Sequence, residues 1–138
     1  FVIGDGPEKK TLILNLDKHG LFDKVTFLGE LSNLELSEQY SKIKVLLTCA
    51  PSEGYGLTLR EAALSGVSVV ARRSLGSVNA KQDYFSDIAL YDSVMQAGNL
   101  IIEALNQEVS ILSGAEKISL QKERDIESIR NWARTWID

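Results

Sequence analysis

Two glutamates, Glu53 and Glu61, lie eight positions apart on either side of a Gly-Tyr-Gly turn, and an apolar helical pattern begins just after that turn. The first N–H groups of a helix have no partner within it, and the helix dipole adds positive potential there. Such an end can hold an anion without a basic side chain. Because carboxylates accept hydrogen bonds from hydroxyls, the stretch predicts a phosphorylated ligand that is rich in hydroxyl groups.

Each residue of this stretch also has an ordinary structural explanation. Thr58 and Glu61 have the spacing of a capping box, in which Glu61 would accept only from the Thr58 N–H. Glu53 fits a solvated acid in a turn, and Tyr55 fits a half-buried ring with its hydroxyl in water. The combination is therefore more informative than any one member.

Five short apolar runs predict strands, because turn residues or polar segments bound them. The third is continuously apolar around Val45-Leu46-Leu47, as expected of a strand that is covered on both faces. These runs are residues 1–3, 25–28, 43–49, 67–71 and 88–91. The loop Gly4-Asp5-Gly6 after the first run lacks the third glycine of the dinucleotide fingerprint and the lysine of a P-loop, which favours a plain strand-to-helix turn.

Helical patterns fill most of the intervals. Pro7 suits the first turn of the first helix, His19 its C-terminal cap, and Ser32 with Glu35 forms a capping box for the second helix, which runs to about residue 42. Asp92 and Ser93 cap a later one. The predicted apolar faces are Leu12, Ile13 and Leu16; Leu59, Ala62, Ala63 and Gly66; and Val94, Gly98, Ile101, Ile102 and Leu105.

Two further segments complete the pattern. Residues 72–86 are polar and predict a loop with at most one helical turn. A charged helical region follows residue 110, and its last helix carries a stripe in which the tryptophans are expected to be core anchors, Ile129, Trp132, Ala133 and Trp136.

The alternation predicts an α/β fold, a single Rossmann-like domain over residues 1–138 with a parallel sheet, helices on both faces and C-terminal helices. Ligands in such folds bind beyond the carboxyl ends of the strands, where the turn between Glu53 and Thr58 is expected. A flavodoxin-like signalling domain is disfavoured because no acidic cluster follows the first strand.

Composition excludes several function classes. The 15 Lys and Arg residues are dispersed and the net charge is −4, which argues against a nucleic-acid partner. Cys49 and His19 are the only residues of their types, so neither an internal disulfide nor the usual zinc site can form. With one cysteine, a reducing, cytoplasmic setting is the default expectation. No apolar run approaches the ~20 residues of a membrane span, and no signal peptide opens the chain.

The segment Glu53-Gly54-Tyr55-Gly56-Leu57, followed by Glu61, resembles the E-G-F-G-L-x-x-x-E signature of retaining GT-B glycosyltransferases in glycosyltransferase family four. The resemblance covers about residues 1–105 in that family's order and spacing. The matching segments are Val2-Ile3-Gly4-Asp5-Gly6-Pro7, Val25-x-Phe27-x-Gly29, Pro51-Ser52, Glu61-Ala62-Ala63 and Gly66-Val67-x-Val69-Val70-Ala71.

The resemblance implies a role for each motif residue. Glu53 would contact donor-sugar hydroxyls at the catalytic centre, without acting as a nucleophile, and Glu61 would accept from the two ribose hydroxyls. Leu31 would line the nucleobase. The sugar and its diphosphate would be held by the turn and by the backbone N–H groups that follow it, from Gly54, Tyr55, Gly56, Leu57 and Thr58.

The implied reaction moves a sugar from a nucleoside diphosphate sugar, of the UDP or GDP type, to a growing glycan or a lipid-linked acceptor, as in polysaccharide biosynthesis. It would need no divalent metal and no other cofactor. We expect a longer protein, because the chain opens with Phe1 in an apolar segment. The family's first strand and helix of this domain, with an Arg and a Lys that neutralise the diphosphate, would precede it, as would the N-terminal domain that holds the acceptor. That domain could lie at a membrane surface, and the present segment alone would be inactive.

Two departures from the family pattern leave an alternative open. Ser68 replaces a proline, and residues 75–79 read Leu-Gly-Ser-Val-Asn where the family tends to have Gly-Gly-x-x-Glu. The second departure puts a contact with the donor or acceptor in doubt. The alternative is a degenerate GT-B domain that acts as a non-catalytic binding or scaffolding module.

Overall fold

The computed structural model describes residues 1–83 and 88–107, together with positions 119, 123 and 126. Contacts divide the chain into two units, Phe1–Gln39 and Tyr40–Asp138, and each is described by itself. Every strand pair is parallel and helices flank the strands, so the predicted α/β class is confirmed. The single domain stays a prediction. The predicted stripe Ile129, Trp132, Ala133 and Trp136 lies outside the described residues.

The first unit contains two short parallel strands, β1 (Val2–Ile3) and β2 (Phe27–Gly29), paired through Val2 and Phe27. Between them lie α1 (Lys9–Lys18) and a 3₁₀ turn (Phe22–Lys24) that the sequence pattern did not indicate. Helix α1 begins two residues after Pro7, so placing Pro7 in its first turn was wrong.

Polar caps set the helix ends of this unit as predicted. The backbone N–H of His19 bonds to the carbonyls of Asn15 and Leu16, which confirms it as the C-terminal cap of α1. The Ser32 N–H donates to Glu35 at 2.8 Å and the Glu35 N–H donates back to the Ser32 hydroxyl at 3.4 Å. This capping box opens α2 (Asn33–Tyr40).

The second unit is built on a three-stranded parallel sheet in the order β3 (Val45–Thr48), β4 (Ser68–Arg72), β5 (Ile88–Tyr91). The central strand supplies Val69, Val70 and Ala71 to the core, all nearly inaccessible to solvent. Strand β3 was predicted to be covered on both faces, and this is wrong. Leu47 is 43% exposed, so its face of β3 is not fully covered by the described part of the chain.

Three helices follow these strands, α3 (Leu57–Leu64), α4 (Leu75–Asp83) and α5 (Val94–Asn106). The core face of α3 is confirmed at Leu59, Ala62 and Ala63, which are fully buried. Gly66 is not part of that face. Its φ of +84° places it in the left-handed region just after the helix, where a glycine ends a helix without steric cost.

Helix α4 replaces the predicted loop at residues 72–86. Its N-terminus is closed by two serines that cap each other: the Ser77 N–H donates to the Ser74 hydroxyl at 3.2 Å, and the Ser74 N–H donates to the Ser77 hydroxyl at 2.8 Å. The expectation of a loop was wrong because the segment is polar and its hydrophobic periodicity is weak, whereas the cap and burial of Ser77 and Ala80 stabilise the helix.

Helix α5 begins as predicted, with the Ser93 hydroxyl accepting from the Gln96 N–H at 3.2 Å. Its predicted face is wrong in most positions, since Val94, Gly98, Ile102 and Leu105 are exposed. The helix instead packs Ala97, Leu100 and Ile101 against the sheet, so only Ile101 belongs to both the predicted and the observed face. The sheet residues in this cluster are Val45, Val70, Ala89 and Tyr91.

The hydroxyl of Tyr91 ties the two outer strands of this sheet together. It donates to the Thr48 carbonyl at 3.0 Å, and the side chain is only 6% exposed. Burial, and then the nearby Cys49 thiol, raise the pKa of Tyr91 to about 12, an effect that Arg72 partly opposes.

We predict that the domain loses stability as the pH rises from about 10 to about 12. The raised pKa of Tyr91 means that the folded state keeps a proton that the unfolded state has already released, so unfolding becomes easier above the unfolded pKa of 10.0. Urea midpoints measured from pH 8 to pH 11 should fall, and Tyr91→Phe should reduce the slope while costing about 1 kcal/mol at pH 8. An identical slope in Tyr91→Phe would contradict this.

Candidate functional site

Gly56 is the residue at which the turn becomes helix α3. It adopts φ 73° and ψ 39°, the left-handed conformation, and is the N-cap of the helix. Among the described residues no side chain caps this end, so the predicted capping box between Thr58 and Glu61 is wrong. Because the helix already begins at Leu57, Thr58 lies inside its first turn, and Glu61 is free of that structural role.

The first N–H groups of α3 are open. The earliest backbone hydrogen bond of the helix runs from the Arg60 N–H to the Gly56 carbonyl at 3.1 Å. Leu57 and Thr58 are exposed, and no acceptor for their N–H groups lies among the described residues. Such groups, aligned with the helix dipole, are suited to an anionic ligand.

Glu53 has a structural role in the turn as well as a side chain available to a ligand. Its Oε1 accepts from the Gly56 N–H at 3.3 Å, and its carbonyl accepts from the Gly76 N–H at 3.0 Å. The side chain is half-buried. Within the described residues, Oε2 makes no hydrogen bond, so this oxygen can accept from a hydroxyl.

Helix α4 packs directly onto the turn, which the sequence did not predict. A Cβ added to Gly76 would lie 2.3 Å from the Glu53 carbonyl oxygen and 2.6 Å from that of Gly54. On the other side, a Cβ on Gly56 would lie 3.2 Å from the Gly76 carbonyl oxygen and 3.4 Å from Cβ of Ala80. The segment that departs from the family pattern therefore supports the turn. The small residues at positions 76 and 80 are the feature of the sequence that could have predicted this close packing.

Glu61 lies one helical turn beyond the open N–H groups, with an exposed side chain. Next to it is Tyr40, a residue not singled out from the sequence, which is only 5% exposed. Burial, and then the Glu61 carboxylate, raise the pKa of Tyr40 to about 12. The Tyr40 hydroxyl has no well-formed hydrogen bond in the described part of the chain. Glu61 therefore has a neutral hydroxyl nearby and keeps its carboxylate accessible to solvent.

Tyr55 lies at the surface of the turn with 60% of its area exposed, so the ring can contact a ligand. Its carbonyl accepts from Arg60 Nε at 3.1 Å. Gly54 beside it is open, since an added Cβ would meet nothing within 4 Å. The predicted site residues of the second unit all lie in the turn and in helix α3.

Leu31 belongs to the first unit, where it follows β2 and is half-buried. Its role at the nucleobase stays a prediction. The Gly4-Asp5-Gly6 loop of the same unit borders a cavity of about 480 Å³ that Lys9 and Phe27 also line. Lys9 pairs with Asp5, so the loop carries its own counter-charge, which favours the plain strand-to-helix turn.

Two further observations concern the described residues only. They contain no cluster of three or more His, Cys, Asp or Glu side chains arranged to hold a metal ion. None of their helices has the length and apolar character that a bilayer crossing requires.

Comparison with known proteins adds a family and two relatives. The family model described as glycosyl transferases group 1 matches residues 1–119. The chain is 38% identical over 69 residues to the UDP-N-acetylglucosamine–peptide N-acetylglucosaminyltransferase GtfA subunit of Streptococcus pneumoniae serotype 4 (strain ATCC BAA-334 / TIGR4). It is 33% identical over 69 residues to the protein of the same name from Streptococcus gordonii. Each match covers 50% of this chain and 13% of the relative's length.

We predict that Gly76→Ala displaces the turn and costs about 1–3 kcal/mol, because its Cβ would overlap the Glu53 carbonyl. Gly98→Ala is the matched control: its Cβ meets nothing within 4 Å in α5, and alanine there should stabilise by about 0.5–1 kcal/mol. Urea unfolding measures both, and amide NMR shifts of Gly54 and Gly56 report the turn. Unchanged stability and shifts in Gly76→Ala would count against the packing.

Proposed function

The chain belongs to the glycosyl transferases group 1 family, and from this membership we propose that it forms the donor-binding part of a retaining glycosyltransferase. The observation that carries the proposal is the open N-terminus of α3, with exposed N–H groups at Leu57 and Thr58 between Glu53 and Glu61. Those groups suit a diphosphate, and the two carboxylates suit the hydroxyls of a sugar and a ribose.

The reaction follows from the charge that develops on the donor. As the bond between the anomeric carbon and the diphosphate oxygen breaks, negative charge grows on the diphosphate. N–H groups that are already oriented stabilise this charge without reorganising. The acceptor oxygen bonds to the anomeric carbon, and its proton leaves with the diphosphate. Glu53 contacts the sugar through Oε2 and orients it, and no covalent step is assigned to it.

We propose a uridine nucleotide as the first donor class to test. The two streptococcal relatives are named for UDP-N-acetylglucosamine. The turn lies within residues 1–119, which match the family model. Their names also specify a peptide acceptor, which adds a peptide to the glycan and lipid-linked acceptors expected from the sequence. For the whole protein we propose an acceptor of one of these kinds and a cytoplasmic setting.

The alternative, a non-catalytic binding module, was motivated by the altered segment at residues 75–79. In the structure this segment forms the start of α4 and donates the Gly76 N–H to the Glu53 carbonyl. The altered segment therefore supports the turn, which favours an intact donor-binding turn. Sugar transfer or donor hydrolysis by the protein at its natural length would separate the two functions.

We predict that Glu61→Gln lowers the discrimination between UDP and 2′-deoxy-UDP, because a neutral amide oxygen accepts a hydrogen bond more weakly than a carboxylate does. A hydrogen bond to a carboxylate contributes about 1.5–3 kcal/mol, so the unmodified protein should prefer UDP by about tenfold or more. Glu103→Gln, an exposed acid in α5, is the control and should keep that preference. Calorimetry gives the dissociation constants.

Two results would contradict these assignments. A preference for UDP that is undiminished in Glu61→Gln would remove Glu61 from the ribose site. If ligand-observed NMR detected no contact of the protein at its natural length with UDP-, GDP- or ADP-sugars, donor binding itself would be wrong.

We predict that the affinity for UDP does not depend on a divalent metal. The proposed site holds the diphosphate with the N–H groups of Leu57 and Thr58, which require no bridging cation. Dissociation constants measured with Mg²⁺ and with excess EDTA should agree within about twofold, that is within about 0.4 kcal/mol. A large loss of affinity in EDTA would show that a metal contributes to donor binding.

A further inference from the structure

Arg60 is a buried cation on helix α3 to which no role was assigned from the sequence. Its side chain is 7% exposed, although arginine is rarely buried in proteins. Nε donates to the Tyr55 carbonyl at 3.1 Å, and the guanidinium carbon lies 4.3 Å from the centre of the Tyr55 ring. One side chain therefore contacts both the backbone and the ring of the turn's central residue.

The position of Arg60 in the helix explains these contacts. It is the fourth residue of α3, and Cβ atoms in a helix point toward its N-terminus, so the side chain extends back toward the turn. A guanidinium is planar and can donate in its plane while stacking on an aromatic face, which an ammonium cannot do. The two contacts with Tyr55 use both properties.

We propose that Arg60 is a positioning residue for diphosphate binding, acting through Tyr55. The inference rests on the proposed function, because it concerns the same site. No other hydrogen bond reaches the Tyr55 carbonyl from the described residues. Without Arg60, Tyr55 is free to rotate, and the conformation of Gly56, which directs the open N–H groups, loses a constraint.

The role is specific to one part of the turn. The Gly76 N–H holds the Glu53 carbonyl, and the Glu53 carboxylate holds the Gly56 N–H. Arg60 holds Tyr55, which lies between these two anchors. Without Arg60 the turn should still form, but its N–H groups should be less well oriented. The affinity for the diphosphate should therefore fall more than the affinity for the nucleoside.

The test compares Arg60→Met and Arg60→Lys with Arg73→Met. Arg73 is an exposed arginine that pairs with Asp92 in the same unit, so its loss controls for net charge. In the protein at its natural length, Arg60→Met should weaken UDP about tenfold and leave uridine within about twofold. Arg60→Lys should weaken UDP about threefold, because an ammonium can donate to the carbonyl but does not stack. Arg73→Met should bind both like the unmodified protein.

Each outcome decides the proposal. Unchanged UDP affinity in a folded Arg60→Met variant, checked by circular dichroism, overturns it, and so does an equal loss for UDP and uridine, which a merely structural role would give. If Arg60→Met does not fold, Arg60→Lys decides, and affinity equal to that of the unmodified protein overturns the proposal. If the unmodified protein binds no UDP, GDP or ADP, the proposed function fails and this inference fails with it.

Discussion

The left-handed conformation of Gly56 is the constraint on which the candidate site depends. Residues with a Cβ rarely adopt a φ of 73°, and at this position a Cβ would also press on the Gly76 carbonyl at 3.2 Å. The conformation starts α3 without a side-chain cap. It therefore leaves the N–H groups of Leu57 and Thr58 directed outward, and the anion site follows from this one backbone choice.

The contacts around Gly56 lower the cost of using that site. The turn is held by Gly76 from α4, by the Glu53 carboxylate and by Arg60, and these bonds hold the backbone at Glu53, Gly56 and Tyr55 in turn. A ligand that meets a turn already ordered by protein contacts spends less of its binding free energy on ordering it. Preorganised N–H groups also stabilise developing charge better than mobile ones.

The sequence predicted the parts that local chemistry determines. The strands and the caps at Ser32 and Ser93 were found because spacing and residue type were sufficient. Helix α4 was missed because the Ser74–Ser77 cap lies in a polar segment, and its value depends on packing against a turn some 20 positions earlier. The packed face of α5 was misplaced because several residues around the helix are apolar, and only the sheet decides which are buried.

The capping box at Thr58 and Glu61 shows why a correct pattern can give a wrong role. A threonine three residues before a glutamate fits the box, but the box requires non-helical backbone at the threonine. Gly56 already provides that transition two residues earlier, since it reaches the left-handed region more readily than threonine can. Glu61 is thereby released from the helix end and lies exposed beside the neutral Tyr40 hydroxyl. The same glycine therefore both opens the N–H groups and leaves a carboxylate nearby to accept from a ligand's hydroxyls.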